Sequence, residues 1–559
     1  MIALRDTSAV NIAAIVRRLF AVDIEPQISV PEAEHGDLTT NVAMQLAGRI
    51  GRSPRDIAEA IAAELGDAAS VAGPGFINLR VNDDDLFAQA TQRSVTTYKD
   101  QTVIVEYSDM NAFKTAHAGH LYTTLVGNAI ANIIEASGAR VIRANFGGDV
   151  GRHAAIALWA IMRDRANDPN RLGEIEPSER SAWVAARYVD GTAAYESDET
   201  AKTAIDELNA ALYRLIDEDD HSSLLAQFYW TTRQWSYDGF EQFYDQLGLT
   251  KQPDGTYFHY YPESTTAPFG KRLVEEARAQ GVFTESAGAI VYQGETEGLH
   301  TRVFLTKAGL PTYETKDLGL AVRKWDEYHF DRNIIVTAND ITDYMKVVLA
   351  ALHHIRPEIS ERTTHITHGL IKLEGGAKMS SRRGNVVVPE EILHRANEEN
   401  TAISGKHQPE VAMGAVKYAF LKQRIGGDII YDPKASVSLT GNSGPYLLYA
   451  LVRARAILKK EQRSDDDEPG PIVLEAGERA LVRKLAEYQT VLDEATTAIT
   501  PHILCTYLYE LATQFNQFYE HNKVIGHERE ALRTRIVQLY EATLDSGLTL
   551  LGIHTPDHM

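Results

Sequence analysis

Two short strings in this chain hold residue types and spacings suited to phosphate chemistry. They are His117-Ala118-Gly119-His120 and, about 260 residues later, Lys378-Met379-Ser380-Ser381. His117 and His120, at i and i+3, face one side of a helical first turn. A helix N-terminus favours anions, and Gly119 lets a nucleotide come close to the backbone. Imidazole donors at that point stabilise charge that develops on a triphosphate during in-line attack. The second string lies in a glycine-flanked loop, 375–385, where Lys378, Arg382 and Arg383 put three cations in six residues. A lysine on such a loop closes over a leaving pyrophosphate as the bond breaks. In this order the strings point to cleavage of ATP between its α and β phosphates, with nucleotidyl transfer to a carboxylate. Plainer readings are a capping histidine pair and a solvated basic loop. A metal pair is set aside, because a neighbouring glutamate and a third ligand are missing. The same His-x-x-His spacing at His365 and His368 is treated as background.

The elements around the strings must hold them in place. Residues 102–107 read as a buried strand, and Leu121, Leu125, Ala129 and Ile133 mark one face of a helix that ends at Gly138. A strand at 141–144 follows at once, so the pattern is βαβ, the start of a Rossmann-like doubly wound parallel sheet. Further strands are expected at 334–337 and 370–373. Between them, near 154–245, lies a helical insertion. Its Trp159, Trp183, Trp230 and Trp235 are assigned to packing rather than base stacking, for want of interleaved basic residues. Residues 1–98 read as a small α+β domain, with helices near 12–19 and 57–65, a polar turn at 35–41 and a strand at 76–79. From about 405 the pattern is an all-α bundle. Leu447, Leu451, Ala454 and Leu458 share one helical face, and Leu504, Leu508, Leu511, Phe515 and Phe518 form another apolar stripe. The acidic run 465–468 reads as a solvated loop. The expected domains are therefore 1–98, 99–404 and 405–559.

Totals narrow the classes. A length of 559 residues exceeds what one core supports, and 44% apolar with 24% charged residues suits a soluble globular chain. There is no apolar run of membrane-spanning length. Arg5, Arg17 and Arg18 invite a transit-peptide reading, but Asp6 with Ile12, Ile15, Val16 and Leu19 fits an amphipathic helix. The single cysteine, Cys505, excludes an internal disulfide and a thiolate zinc cluster, and points to a reducing cytoplasm. A net charge of −21 excludes a chain-wide nucleic-acid coating. Any RNA contact is regional, with Arg453, Arg455 and Lys459 as candidates.

Four separated stretches then carry a resemblance. They are Glu106-Tyr107-Ser108-Asp109-Met110-Asn111 through His120, Asn145-Phe146-Gly147-Gly148-Asp149-Val150-Gly151, Thr312-Tyr313-Glu314-Thr315-Lys316-Asp317, and Ser438-Leu439-Thr440-Gly441-Asn442 through Ala450. Over nearly its whole length the chain resembles class I aminoacyl-tRNA synthetases, and closely the arginyl-tRNA synthetase family. The resemblance implies that L-arginine is activated with ATP to arginyl-adenylate and transferred to the 3′ end of tRNA(Arg), with activation requiring bound tRNA. It implies His117, His120 and Lys378 as catalytic, and an ATP set of Lys114, His117, Gly119, His120, Lys378, Met379 and Ser380. It also implies Mg²⁺ with the nucleotide, no resident metal or structural zinc, an additional tRNA-binding domain at the N-terminus and an anticodon-binding domain at the C-terminus. Tyr313 and Asp317, at i and i+4, share a helical face and offer a hydroxyl and a carboxylate together. A guanidinium needs such planar acidic partners when desolvated. By resemblance Asp317 accepts the guanidinium, Tyr313 neighbours it, Glu263 adds a second acid and Asn111 holds the amino acid's main-chain groups. The chain departs from the family at Met110 and Thr115, where proline is common, which predicts a looser approach to the histidine turn. It departs again at Ser381, where a second lysine is common. The pocket wall at 339–342 lacks the usual His or Gln and stays unassigned. A cytoplasmic monomer without membrane contact is expected. Rival readings are a synthetase for another amino acid, a non-catalytic RNA-binding descendant and a small nucleotidyltransferase.

Overall fold

A computed structural model describes residues 1–373, 388–460 and 472–559. The chain divides into two compact units, one of Tyr98–Val437 and one that combines Met1–Thr97 with Ser438–Met559. Residues 405–437 thus pack in the sheet-containing unit, where the sequence pattern placed them with the helical bundle.

The larger unit is built on a five-stranded parallel sheet. Its strands are β1 (Thr102–Glu106), β2 (Arg140–Asn145), β3 (His259–Tyr260), β4 (Arg332–Ala338) and β5 (Thr363–His368), in the order β5-β4-β1-β2-β3. Val103, Ile104 and Val105 of β1 are fully buried, as expected for a central strand covered on both faces. Helix α1 (Ala118–Ala136) makes the crossover from β1 to β2. The chain then leaves one edge of the sheet and returns with β4 beside β1, where Ile335 lies opposite Glu106. The strand order reverses there, so a crevice opens outside the carboxyl ends of β1 and β4. Both the histidine string and the unassigned 339–342 segment emerge at that point.

Three helices follow the insertion and close the crevice: α2 (Glu263–Ala279), α3 (Tyr313–Tyr328) and α4 (Thr342–Ile355). Two glycines fix how α2 and α3 cross. A Cβ on Gly270 would lie 1.9 Å from the Thr315 carbonyl oxygen, and one on Gly319 would lie 2.5 Å from that of Thr266. The helices therefore touch backbone to backbone. Beneath them Lys324 of α3 is fully buried against Glu106 of β1 and donates to the Asn333 side chain at 2.9 Å.

The sequence pattern missed β3, which is two residues long, and β5, whose Thr-Thr-His-Ile-Thr-His has no apolar alternation. The expected strand at 370–373 exists as Ile371–Leu373, but it pairs with Ile429–Tyr431 in a separate two-stranded sheet. His365 and His368 bond to Thr337 and Thr123, at 2.8 and 2.6 Å, and serve packing. A small antiparallel sheet of Thr284–Ser286, Ala289–Tyr292 and Arg302–Leu305 precedes α3. In the insertion the tryptophans pack as expected, yet basic residues do accompany them. Arg163 lies 4.7 Å over Trp159, Arg165 5.1 Å over Trp183 and Arg180 4.7 Å over Trp235. Arg163 follows Trp159 by four residues on one helix, whereas Arg165 and Arg180 reach their tryptophans from remote segments that a linear reading does not juxtapose.

In the smaller unit the helices Ile2–Phe20 and Pro54–Leu65 cover a four-stranded sheet, and Leu504, Cys505, Leu508, Leu511 and Phe515 are fully buried in the helix Pro501–His521. The turn at 35–41 is structural. Asp37 accepts from the Val81 amide at 2.8 Å and pairs with Arg479 at 2.6 Å. The acidic run 465–468 lies outside the described residues.

Because Gly270 admits no side chain, Gly270→Ala is expected to push α2 from α3 and destabilise the larger unit by at least ~1–3 kcal/mol. Denaturant unfolding followed by tryptophan fluorescence measures this.

Candidate active site

His117 is the N-cap of α1, with its backbone extended. Its Nδ1 accepts from the His120 amide at 3.3 Å, and the His120 Nδ1 accepts from the His117 amide at 3.2 Å. The two rings stack with centroids 3.7 Å apart. This is a capping box made of two imidazoles. Because each Nδ1 is an acceptor, each Nε2 carries the proton and donates outward. Burial first, and then the nearby Lys114 ammonium, hold both imidazoles below the usual histidine range, with His117 also repelling charge on His120. At neutral pH the corner is therefore a pair of uncharged, oriented donors. Gly119 has a different reason than nucleotide approach alone. A Cβ there would lie 2.9 Å from Cε1 and Nδ1 of His117, so the glycine makes room for the cap itself.

The segment leading from β1 to this corner is tightly held, against the looser approach expected from its missing prolines. Ser108, Asp109 and Phe113 take φ of 76°, 46° and 68°, in the left-handed region. Hydrogen bonds over-determine this path. The Phe146 amide donates to Asp109 at 2.8 Å, Ala112 to the Gly148 carbonyl at 2.8 Å and Phe113 to Ser236 Oγ at 3.0 Å. Asn111 sits against Gly148, whose ideal Cβ would fall 2.3 Å from the Asn111 Oδ1. Lys114 lies over the Tyr188 ring at 5.2 Å, and burial lowers its pKa while Glu263 opposes the shift.

The other wall is acidic. Glu263, the first residue of α2, is only 3% exposed and pairs with Lys316 of α3 at 2.6 Å. Glu314 pairs with Arg302 at 3.1 Å. Among the described residues Asp317 pairs with no cation. Its carboxylate accepts from the hydroxyl of Tyr344 on α4. Burial, reinforced by the charges of Glu106, Glu263 and Glu314 and opposed by the Tyr344 bond, pushes its pKa up to about 8. Burial and the nearby Glu106 likewise push Asp109 well above the carboxylate range. Tyr313 is 53% exposed, with the Lys316 ammonium 5.0 Å over its ring. The wall thus holds two carboxyl groups, Asp109 and Asp317, that an incoming cation would favour in their ionised form.

Of the expected residues, Lys114 lies near His117, His120 and Glu263, and Glu263 lies near Tyr313 and Asp317, while Gly119 abuts His117 and Asn111 abuts Gly148. Lys378, Met379 and Ser380 lie outside the described residues. Sequence reading missed Lys316, which neutralises Glu263, and Tyr344, which stands two residues beyond the unassigned wall. Arg455 departs from expectation as an RNA contact. It is tied to Glu541 at 2.9 Å and Asp545 at 2.6 Å, one turn apart on a facing helix, and to the Thr555 and Pro556 carbonyls at 3.2 and 3.1 Å. Arg453 lies 4.9 Å over Tyr449 and 5.3 Å over Tyr519, and Lys459 is exposed. Among the described residues no group of three or more His, Cys, Asp and Glu side chains is placed to hold a metal ion, and no helix is long and apolar enough to cross a membrane.

Comparison with known proteins gives three matching families along the chain. Residues 84–432 match "tRNA synthetases class I (R), catalytic domain", residues 447–559 the "DALR anticodon binding domain" and residues 7–81 the "Arginyl tRNA synthetase N terminal domain". An arginine–tRNA ligase of Pasteurella multocida is 30% identical over 94% of this chain and 97% of its own length. One of Synechococcus elongatus is 29% identical over 100% of this chain and 99% of its own. The solved arginyl-tRNA synthetase of Thermus thermophilus shares the fold at a TM-score of 0.77, with 24% identity and 100% of both chains covered.

The His117 cap and its Nε2 donor separate cleanly by mutation. Asparagine keeps a capping acceptor, so His117→Asn is expected to hold stability within about 0.5 kcal/mol, while His117→Ala loses ~1 kcal/mol. Both lose the outward donor, and turnover is expected to fall about 10²-fold in each. Thermal unfolding and steady-state kinetics of the two variants check the pair.

Proposed function

The chain belongs to the arginyl-tRNA synthetase family of class I, and from that membership we propose that it is an arginine–tRNA ligase. The observation that best supports this reading is the division of the crevice. Neutral donors and Lys114 stand at one wall, and at the other stands Asp317, whose partner among the described residues is a phenol. A triphosphate fits the first, and a guanidinium fits the second.

ATP enters with its Mg²⁺ as substrate. Asp317 takes the guanidinium, with Tyr313 and the Glu263–Lys316 pair beside it, and Asn111 holds the main-chain groups of arginine. One oxygen of the α-carboxylate then attacks the α-phosphorus, the bond to the β-phosphate oxygen breaks, and pyrophosphate leaves with that electron pair. The Nε2–H groups of His117 and His120 meet the charge that develops on the α-phosphate. Lys114, together with Lys378, Met379 and Ser380 of the loop, attends the phosphates. In the second step a hydroxyl at the 3′ end of tRNA(Arg) attacks the activated carbonyl and AMP departs. No covalent bond to the protein is required, since the adenylate already carries a good leaving group. The first 98 residues add a tRNA-binding module, and the helices beyond Ser438 hold the anticodon arm, with Arg453 and Lys459 as contacts. The protein works as a monomer in the cytoplasm, away from membranes.

Pyrophosphate exchange across the twenty amino acids, with and without tRNA, tests the proposal. Exchange is expected with arginine alone and only when cognate tRNA is present; exchange with a different amino acid would overturn it. Asp317→Asn is expected to raise the arginine KM about 100-fold, ~3 kcal/mol, and to leave the ATP KM within about threefold. A pH dependence follows as well. The substrate cation binds the ionised Asp317, so the site must lose a proton below about pH 8. The arginine KM is therefore expected to fall roughly tenfold or more between about pH 6.5 and 8 and to level off only above about pH 9, because binding is linked to that ionisation. A flat profile would contradict the assignment of Asp317.

A further inference from the structure

Each buried carboxylate around the acidic wall has a distinct partner, and the difference between partners carries information. Glu106 has Lys324, Glu263 has Lys316 and Glu314 has Arg302. Asp317 has a neutral phenol. A cation beside Asp317 would cancel its charge and occupy it. A phenol stabilises the ionised form through a charge-assisted bond yet leaves the net charge in place. It also takes one oxygen from one side, which leaves the other oxygen free for an incoming planar donor.

Tyr344 is itself held. Its ring lies under the Arg302 guanidinium at 5.3 Å, while Arg302 is tied to Glu314 at 3.1 Å. The connection therefore runs from the antiparallel sheet, through Arg302, to the phenol on α4 and the carboxylate on α3. We infer that Tyr344 is a positioning residue for recognition of the substrate cation: its hydroxyl orients the Asp317 carboxyl and favours its ionised form, and Arg302 fixes where that hydroxyl stands. The inference rests on the reading of Asp317 as the acceptor of arginine's guanidinium. It supplies a function beside the wall that the sequence left unassigned at 339–342, since the Thr342 hydroxyl donates to the Asn339 carbonyl at 2.8 Å and the Tyr344 hydroxyl donates to Asp317.

The groups that face Asp317 set the sign of the expected effect. They are Tyr344 from α4, Glu106 from β1, Asp109 from the segment after β1, Glu263 from α2 and Glu314 from its own helix. The cations Lys324, Lys316 and Arg302 are each committed to one of those glutamates. Glu106, Glu263 and Glu314 all oppose ionisation of Asp317, and the Tyr344 phenol favours it. Removing the hydroxyl therefore raises the pH at which Asp317 ionises.

Tyr344→Phe keeps the ring beneath Arg302 and removes only the donor. In the full-length, ligand-free protein, the Asp317 carboxyl band is followed by infrared titration, identified by its absence in Asp317→Asn. Its midpoint is expected to rise by about one pH unit in Tyr344→Phe, the size of one bond to a charged group. In tRNA-dependent pyrophosphate exchange at pH 7.5, the arginine KM is expected to rise about tenfold, and the ratio to the native chain to narrow toward pH 9. The ATP KM is expected to move less than about twofold. A purely structural role would lower stability without moving the carboxyl midpoint or the pH dependence of the ratio. Native activation of arginine with an unmoved midpoint and an unmoved arginine KM overturns the Tyr344 inference alone. Absence of any arginine activation by the native chain overturns the functional reading instead, and a displaced midpoint would still assign Tyr344 to Asp317.

Discussion

Burying a carboxylate beside others is expensive unless each one finds a partner, and the crevice is organised around meeting that demand. At the carboxyl end of β1, Glu106 is answered by Lys324, which reaches up from α3 and also binds Asn333. Glu263 is answered by Lys316, and Asp149 by Arg233 at 2.7 Å with the Ser264 amide at 2.8 Å. Compensation stops short at Asp109, held by the Phe146 amide, and at Asp317. From the described residues Asp317 receives a hydrogen bond but no positive charge, and its high pKa expresses the remaining deficit. A pocket that is still short of one cation is one that a cationic ligand completes. Specificity of this kind needs little apolar shape, because an uncharged side chain of similar size would leave the same acid group buried and unanswered.

Backbone geometry decides whether those charges can meet. The crossing of α2 and α3 at Gly270 and Gly319 brings the start of α2 beside the first turn of α3. Without it Lys316 would not reach Glu263 at 2.6 Å. The strained path through Ser108, Asp109 and Phe113 does the same for the opposite wall, since it carries the chain from the sheet to the start of α1 within a dozen residues. In both places the local backbone accepts a cost that surrounding hydrogen bonds and helix packing offset.

Sequence reading recovered what is encoded by neighbours along the chain. The βαβ unit follows from apolar periodicity, the histidine corner from a spacing of three at a helix start, and the Tyr313–Asp317 face from a spacing of four. Partners contributed by remote segments stayed hidden. Lys316 sits inside a quoted motif, yet nothing in the string shows that Glu263, 53 positions earlier, is its counter-ion. Tyr344 donates to a residue 27 positions away, across two helices and a strand. Arg455 looked like a free basic residue until a helix nearly 90 positions later placed Glu541 and Asp545 against it. The short β3 and polar β5 are strands because of the sheet they join, and their own residues carry almost none of that preference.

The neutrality of the histidine corner completes the picture. A pair of imidazolium ions would bind the triphosphate strongly before reaction and hold the pyrophosphate product just as strongly. Uncharged Nε2–H donors bind the ground state less and respond chiefly to charge that appears at the α-phosphorus as attack proceeds. The capping box fixes which nitrogen is the donor, so no tautomer change or ring rotation is needed at the moment of reaction. Burial and Lys114 keep the rings uncharged. The two walls thus meet their ligands differently: the acidic wall ionises as its ligand brings a permanent cation, and the histidine wall stays uncharged because the charge it serves develops only in transit.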